Sequence, residues 1–93
     1  MQIVWSATAI ANLVEIRKYI EPDQPAAARR LAQRILESVE RLAEHPHLGH
    51  PGREAETREL IVAGTPYIIP YRIYRNRLCI LAVLHAARSR PED

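Results

Sequence analysis

Four polar side chains in the C-terminal third of the chain are suited to phosphate chemistry. Arg58, Arg72 and Arg88 carry guanidinium groups, which hold phosphates and stabilise developing negative charge. His85 titrates near neutral pH and can transfer a proton. An RNA-cleaving site built from Arg58, Arg72 and His85 is therefore one interpretation. The alternative is structural: the arginines pair with nearby carboxylates and the histidine caps a strand.

Other kinds of chemistry are disfavoured by the residues present. His45, His47 and His50 cluster in one loop, but their spacing crosses a proline and lacks a thiolate, unlike most zinc sites. No serine lies in a nucleophile-elbow motif, and the three glycines do not form a phosphate-cradling loop. We therefore predict a solvated loop at this position, with no metal and no cofactor.

The phosphate-binding candidates lie on, or directly beside, three apolar runs, which predict a sheet. The runs cover residues 59–63, 67–74 and 78–86, and short polar gaps at 64–66 and 75–77 separate them. Gaps of this length between β-branched runs are typical of hairpins, so we expect an antiparallel three-stranded meander. The third run is apolar at almost every position, which indicates a central strand.

The period of a strand assigns the second run to two faces. Ile69, Tyr71 and Ile73 share the face that we expect to be covered by helices, and Arg72 and Tyr74 share the open face. Pro70 cannot donate a ladder hydrogen bond, so a bulge or a missing bond is expected beside it. Leu81 on the third run and Ile35 on a helix are expected in the core.

Two helices precede the meander. Residues 2–5 form a short strand, Ser6 is a candidate N-cap, and a helix follows until Pro22 ends it. A second helix begins at Asp23 or Gln24 and stops before His45-Pro46, with Arg30 and Arg34 on its polar face. Residues 47–56 form a loop. The fold class is therefore α+β, with a short N-terminal strand and an antiparallel helical hairpin packed on one face of a mainly antiparallel sheet (β-α-α-β-β-β).

Length and composition bound the remaining possibilities. Ninety-three residues make a single domain, 1–93, and the net charge of +2 suits an anionic partner without requiring one. Lys18 is the only lysine, and the arginine bias favours an interaction surface. Cys79 is the only cysteine, which predicts a reducing cytoplasmic location. No run is long enough to cross a membrane.

The order of elements and several local motifs resemble the RelE/ParE family of bacterial toxins. The motifs are GREAETREL at 52–60, PYIIPYRI at 66–73 and ILAVLHAAR at 80–88. Trp5 in the first strand, Leu42-x-x-His45-Pro46 and Gly49-x-Pro51-Gly52 belong to the same resemblance, which spans essentially the whole chain. It implies a small α+β toxin that a cognate antitoxin neutralises by wrapping its surface.

The RelE/ParE family has two functional branches. RelE-like toxins cleave messenger RNA on the ribosome, with an arginine near the start of the second meander strand and often a C-terminal tyrosine or histidine. Ile68 occupies that arginine position in this sequence, and the chain ends Ser89-Arg90-Pro91-Glu92-Asp93. The Arg-Glu-Leu, Pro-Tyr-Ile-Ile-Pro-Tyr-Arg and Val-Leu-His-x-x-Arg motifs resemble instead the ParE-like branch, whose members poison DNA gyrase.

The resulting expectation is a ParE-like toxin that binds gyrase, with inhibition by contact favoured over catalysis. It would form a heterodimer or heterotetramer with its antitoxin and meet nucleic acid only through the antitoxin or gyrase. A ribosome-dependent RNA endonuclease is the alternative, and a DNA-binding module is disfavoured because no helix-turn-helix is evident. The residues expected to contact the target or the antitoxin are Arg30, Arg34, Arg58, Arg72, Tyr74, His85 and Arg88.

Overall fold

Two helices cover one face of a six-stranded sheet in the structure, a computed structural model that describes residues 1–87. The elements are β1 (Gln2–Trp5), α1 (Ala7–Ile20), α2 (Pro25–Glu44), β2 (His50–Pro51), β3 (Arg58–Ile61), β4 (Tyr67–Tyr74), β5 (Arg77–Ile80) and β6 (Leu84–His85). The strands are ordered β1-β5-β4-β3-β2, and β6 pairs with β4. Among the strands of residues 1–87, only β1 and β5 pair in parallel. The predicted α+β fold class is confirmed.

The helical hairpin begins and turns where the sequence predicts. The Ser6 hydroxyl accepts a hydrogen bond from the Ala9 N–H at 3.0 Å, which satisfies one of the free donors of the first turn of α1. Gln24 precedes α2 and Pro25 is its first residue, where a missing N–H costs nothing. Only residues 21–24 separate the helices, so α1 and α2 lie side by side and shield the sheet.

The core lies between α2 and the sheet. Ile35, Val39 and Leu42 of α2 are buried, as are Leu78 and Ile80 of β5. On β4, the predicted core face is confirmed at Ile69 and Tyr71, which are fully buried, and Ile73 is half-buried. Ile35 is a core residue, as expected. Leu81 is only half-buried, so its assignment to the core is wrong.

The third predicted strand is interrupted in the middle, because residues 81–83 leave the ladder between β5 and β6. Tyr71 pairs with Ile80, and Ile68 pairs with Leu84. Two β4 residues, 69 and 70, therefore face three residues, 81–83, on the partner. This extra residue is a bulge beside Pro70, and the expectation of an irregularity there is confirmed.

Contacts from α1 and its cap hold the bulge in place. The Leu81 N–H donates to the Pro70 carbonyl at 2.9 Å, but Pro70 has no N–H to return. The Leu81 carbonyl instead accepts from the Ser6 hydroxyl at 2.9 Å, and the Val83 N–H donates to Asn12 Oδ1 at 3.0 Å. These side-chain contacts replace the ladder bonds that a continuous strand would have supplied.

The remaining differences are at the edge of the sheet. The segment predicted as an unstructured loop contains β2, whose two residues pair with Arg58 and Glu59. β3 begins at Arg58 and ends at Ile61, whereas the predicted strand covers 59–63. It ends early because the Val62 carbonyl accepts from the Thr65 N–H at 3.1 Å, which closes the turn into β4.

Candidate functional site

The sheet register places Arg72 and His85 on opposite faces. Arg72 lies opposite Cys79, on the open face, whereas His85 lies opposite Tyr67, on the helix-covered face with Ile69. Tyr67 and Arg72 are five residues apart along β4, or about 16 Å at the usual rise. An RNA-cleaving site built from Arg58, Arg72 and His85 would need these side chains to converge on one sheet surface. The structure does not bring Arg72 and His85 together.

The bulge explains the separation. Side chains alternate between faces along a strand, so one extra residue moves every later side chain to the other face. A continuous third strand would have placed His85 on the face that carries Arg72. The bulge beside Pro70 adds one residue before β6 and directs His85 to the helix-covered face instead.

Arg58 belongs to a third location, where it holds a loop. It lies opposite Tyr71, and its Nη1 donates to the Gly49 carbonyl at 2.7 Å and to the His47 carbonyl at 3.5 Å. The Tyr71 hydroxyl accepts from the Gly49 N–H at 2.9 Å and donates to the Pro46 carbonyl at 2.8 Å. Burial raises the pKa of Tyr71, and the Gly49 hydrogen bond and the Arg58 charge oppose the rise. These contacts fix the segment after α2.

His85 lies in an open cleft with two of the predicted arginines. The cleft has a volume of about 850 Å³ and lies between the α1–α2 connection and the β3–β4 turn. Arg30, Arg34 and His85 line it together with Tyr19 and Tyr67, and we call it the arginine–tyrosine cleft. Its two arginines outnumber the one carboxylate that residues 1–87 contribute to the lining, Asp23, and lie beside aromatic surface, which suits an anionic or acidic ligand.

Contacts within the cleft order two of its side chains. Arg34 Nη1 donates to the Ala63 carbonyl at 2.9 Å, which ties α2 to the β3–β4 turn. The His85 ring meets the Tyr67 ring edge-on at 5.4 Å, and its Nδ1 accepts from the Ala87 N–H at 3.2 Å. Sequence reasoning missed Tyr67, although its place two residues before Ile69 assigns it to this face.

The open face carries a separate group at the end of the β4–β5 hairpin. The Arg72 guanidinium lies 4.7 Å from the centre of the Tyr74 ring, and that of Arg75 lies 5.3 Å from it. Arg77 is paired directly with Tyr74 across the hairpin. We call Arg72, Tyr74, Arg75 and Arg77 the hairpin arginine cluster. The sequence singled out Arg72 and Tyr74 but treated Arg75 and Arg77 only as turn residues.

The outer side of the helical hairpin exposes apolar side chains. Ile10 and Val14 are one helical turn apart on α1, and Leu36 of α2 is exposed as well. Val14 and Leu36 line a groove of about 230 Å³ between the helices, which we call the helical groove. Leu31 lines both this groove and the arginine–tyrosine cleft. The two depressions therefore adjoin.

Residues 1–87 contain no group of three potential metal ligands, and neither helix in this part of the chain has the length and apolar character that a membrane span requires. Arg88, the last of the predicted contact residues, lies outside the described residues. The predicted residues thus divide into a cleft group, a loop-holding arginine and a hairpin group. Arg58 is occupied by backbone carbonyls, whereas the cleft group and the hairpin group carry charged side chains that can bind a partner, and the described members of the predicted set do not form a single site.

Comparison with known proteins identifies the class of molecule that has this fold. The sequence profile described as ParE toxin of type II toxin–antitoxin system, parDE, matches residues 3–90. The chain therefore belongs to the ParE toxin family of type II toxin–antitoxin systems, within the wider RelE/ParE group. The resemblance seen in the sequence is confirmed.

Three known proteins illustrate the relationship. Putative toxin Y4kP of Sinorhizobium fredii is 50% identical over 91 residues, which cover 98% of this chain and 94% of the relative. Toxin RelE2 of Caulobacter vibrioides is 40% identical over 87 residues, covering 94% and 97%. A solved chain of the chromosomal ParDE system of P. aeruginosa has a TM-score of 0.82 and 25% identity, and the match covers 91% of this chain and 95% of that one.

Proposed function

We propose that this toxin inhibits DNA gyrase by binding to it and that a cognate antitoxin neutralises it. The observation that carries the proposal is the separation of Arg58, Arg72 and His85. The Arg58 guanidinium is occupied by backbone carbonyls, and the other two side chains lie on different faces of the sheet. A binding protein does not require these groups to meet, whereas a nuclease built from them does.

The distances argue against RNA cleavage by that set. General acid–base catalysis requires groups within about 3 Å of the atoms that exchange protons. Arg72 and His85 are about 16 Å apart along β4 alone. Loss of a single catalytic donor or proton-transfer group typically costs about 10²–10⁴ in rate. An enzyme without both partners of His85 would therefore be feeble, which supports inhibition by contact.

RNA cleavage by a different set of residues is the second candidate. Two Caulobacter vibrioides relatives carry the names RelE2 and RelE3, and the second of them is 31% identical to this chain. In such an enzyme, His85 would act within the arginine–tyrosine cleft, where Arg30 and Arg34 supply positive charge. This candidate predicts that activity depends on His85 and not on Arg72.

The antitoxin surface is proposed from the two adjoining depressions on the helical hairpin. An amphipathic antitoxin helix would place apolar side chains in the helical groove, against Val14 and Leu36. Acidic residues further along the same segment would meet Arg30 and Arg34 in the cleft. A segment that folds on binding covers such a long surface with few residues. The structural relative from a ParDE system supports a partner of this kind.

A supercoiling assay tests the target. Purified toxin is titrated into gyrase acting on relaxed plasmid, and the same preparation is added to ribosomes carrying a message. We expect inhibited supercoiling or trapped cleaved DNA, an intact message, and the same results with His85→Ala. A message that is cut while gyrase works normally would refute the proposal. Cutting that is lost in His85→Ala and retained in Arg72→Ala would establish the second candidate.

A rescue assay tests the antitoxin surface separately. The probe is the antitoxin encoded beside the toxin gene, added to toxin-inhibited gyrase. The double substitution Val14→Glu with Leu36→Glu should abolish rescue and preserve inhibition, because it places two charges in the helical groove. Ile61→Glu is the matched control, since Ile61 is equally apolar and 62% exposed but lies on the sheet. Equal loss of rescue in both variants would contradict this surface.

A further inference from the structure

Three arginines surround one exposed tyrosine at the tip of the β4–β5 hairpin. Arg72 and Arg75 flank the Tyr74 ring at 4.7 and 5.3 Å, within the range of cation–π attraction. Arg77 faces Tyr74 across the hairpin, and Arg75 and Asn76 form its turn with φ values of 51° and 62°. Pairing through the last residues of both strands gives the tip a defined shape.

The positive charge of this tip is not neutralised within the described part of the protein. None of the ion pairs formed by residues 1–87 includes Arg72, Arg75 or Arg77. Arg17, by contrast, is paired with Glu21 at 2.6 Å, and Arg53 approaches Glu59 at 4.0 Å. Like charges held close together repel each other, so the hairpin tip is a favourable position for an anion.

Stacking also prepares the guanidinium groups for phosphate. A guanidinium that lies over an aromatic ring retains the N–H donors at its edges, and these form bidentate bonds to phosphate oxygens. The Tyr74 ring restricts the orientations of Arg72 and Arg75, so less side-chain freedom is lost when an anion binds. The cluster thus combines charge, donors and preorganisation.

We propose that the hairpin arginine cluster binds the phosphate backbone of duplex DNA. This inference rests on the proposed function, because it implies that the toxin engages gyrase together with the DNA that gyrase holds. A two-stranded β-ribbon is narrow enough to approach a groove of B-DNA. Contacts from three arginines to phosphates carry no sequence information, so binding is insensitive to base sequence.

The surroundings of the cluster favour nucleic acid over an acidic peptide. An amphipathic peptide needs apolar surface beside the charges, and Val14 and Leu36 offer such surface on the helices, whereas residues 74–77 at the hairpin tip are a tyrosine, two arginines and an asparagine. The Tyr74 ring is flanked by two cations. What the hairpin tip presents is mainly N–H donors and positive charge, which matches a phosphate backbone.

Salt dependence of binding gives a quantitative test. Each phosphate contact to B-DNA contributes about −0.9 to the slope of log K against log salt, so three contacts predict about −2.7. Between about 50 and 200 mM salt, the affinity from these contacts should fall roughly 40-fold. The measurement is fluorescence anisotropy of a short labelled duplex of arbitrary sequence, titrated with the full chain at several salt concentrations.

Triple variants that remove the same number of charges distinguish the effect of the cluster on DNA binding from the effect of net charge. R72Q/R75Q/R77Q should weaken DNA binding and reduce the magnitude of the slope by about 2.7. R72K/R75K/R77K keeps the charges and should retain most of the slope. The control K18Q/R29Q/R41Q removes the same three charges from exposed helix positions and should keep the slope. Thermal melts of all variants confirm that each is folded.

Four outcomes would overturn the inference: no duplex binding at the lowest salt, equal effects of the two glutamine triples, tighter binding to single-stranded RNA, or equal competition by a polyglutamate peptide. Gyrase inhibition by the same proteins is scored separately. Full inhibition by R72Q/R75Q/R77Q together with unchanged DNA binding refutes the DNA contact and leaves the proposed function standing. DNA binding through the cluster without gyrase inhibition refutes the proposed function instead.

Discussion

Removal of the Tyr71 hydroxyl should destabilise the fold more than its small volume suggests. The Tyr71 side chain is fully buried, and its oxygen joins the Gly49 N–H and the Pro46 carbonyl at 2.9 and 2.8 Å. Tyr71→Phe keeps the ring and leaves both backbone groups without this partner. The segment after α2 would then lose its main attachment to β4, apart from the contacts of Arg58.

The expected loss follows from the burial of the two orphaned groups. A buried donor or acceptor without a partner costs about 1–3 kcal/mol. Gly49 is buried and Pro46 is half-buried, so we expect about 2–4 kcal/mol in total. A chain of this length has a free energy of unfolding of roughly 5–10 kcal/mol. The substitution should therefore remove a large part of the stability.

Urea denaturation measures this loss directly. The control is Tyr74→Phe, since Tyr74 is 48% exposed and its free energy of unfolding should change by less than about 0.5 kcal/mol. A loss below about 0.5 kcal/mol in Tyr71→Phe as well would show that the hydroxyl does not hold the segment. The contacts of Arg58 with the Gly49 and His47 carbonyls would then be sufficient to hold it.

The pKa of Tyr71 adds a pH dependence with a definite sign. Burial raises this pKa above its ordinary value of 10.0, so the folded protein retains a proton that the unfolded chain releases. The stabilisation is complete below pH 10.0 and is lost as the pH rises towards the folded pKa. Between pH 10.0 and the folded pKa, the stability should fall by up to about 1.4 kcal/mol per pH unit from this group, and Tyr71→Phe should lack that component.

The remaining predictions concern the core, the bulge and a turn, and each is measured as a change in the free energy of unfolding. Ile35→Ala should cost about 3–4 kcal/mol and Leu81→Ala only about 1, because Ile35 is fully buried and Leu81 is half-buried; equal losses would contradict the assignment. Ser6→Ala should cost about 2 kcal/mol, since it removes both a helix cap and the partner of the Leu81 carbonyl, and Ser6→Thr should retain most of the stability. Gly64→Ala should cost about 1 kcal/mol, as Gly64 has φ of +77° and its added Cβ would lie 2.7 Å from Arg34 Nη1; a neutral result would argue against this turn geometry.

Much of the fold follows from the hydrophobic periodicity of the sequence and from the residues that begin and end its helices. Ser6, Pro22 and Pro25 predict the hairpin, and alternation along β4 predicts the burial of Ile69 and Tyr71, although Ile68 on the opposite face is buried as well. The interruption at residues 81–83 could not be read from the third apolar run itself, which is apolar without a break from Leu78 to Leu84. The interruption depends on hydrogen-bond partners that are far away in the chain. The Ser6 hydroxyl donates to the Leu81 carbonyl, 75 positions away, and the Val83 N–H donates to Asn12 Oδ1, 71 positions away.

The candidate site was less predictable than the fold for the same reason. A bulge of one residue decides the face on which His85 lies, and sequence alternation alone places it with Arg72. Pro70 signalled an irregularity but not how many residues it would contain. The cation–π contacts of Arg75 were also hidden, because a turn sequence predicts backbone conformation and does not predict where an exposed side chain rests.

Primer extension on messages from cells that express this toxin tests the central claim most directly. If the toxin acts on gyrase by contact, the 5′ ends of the messages in expressing cells should match those in cells that carry the silent gene. Prompt cleavage at codons in the ribosomal A site, abolished by His85→Ala, would contradict the claim and assign the toxin to RNA cleavage.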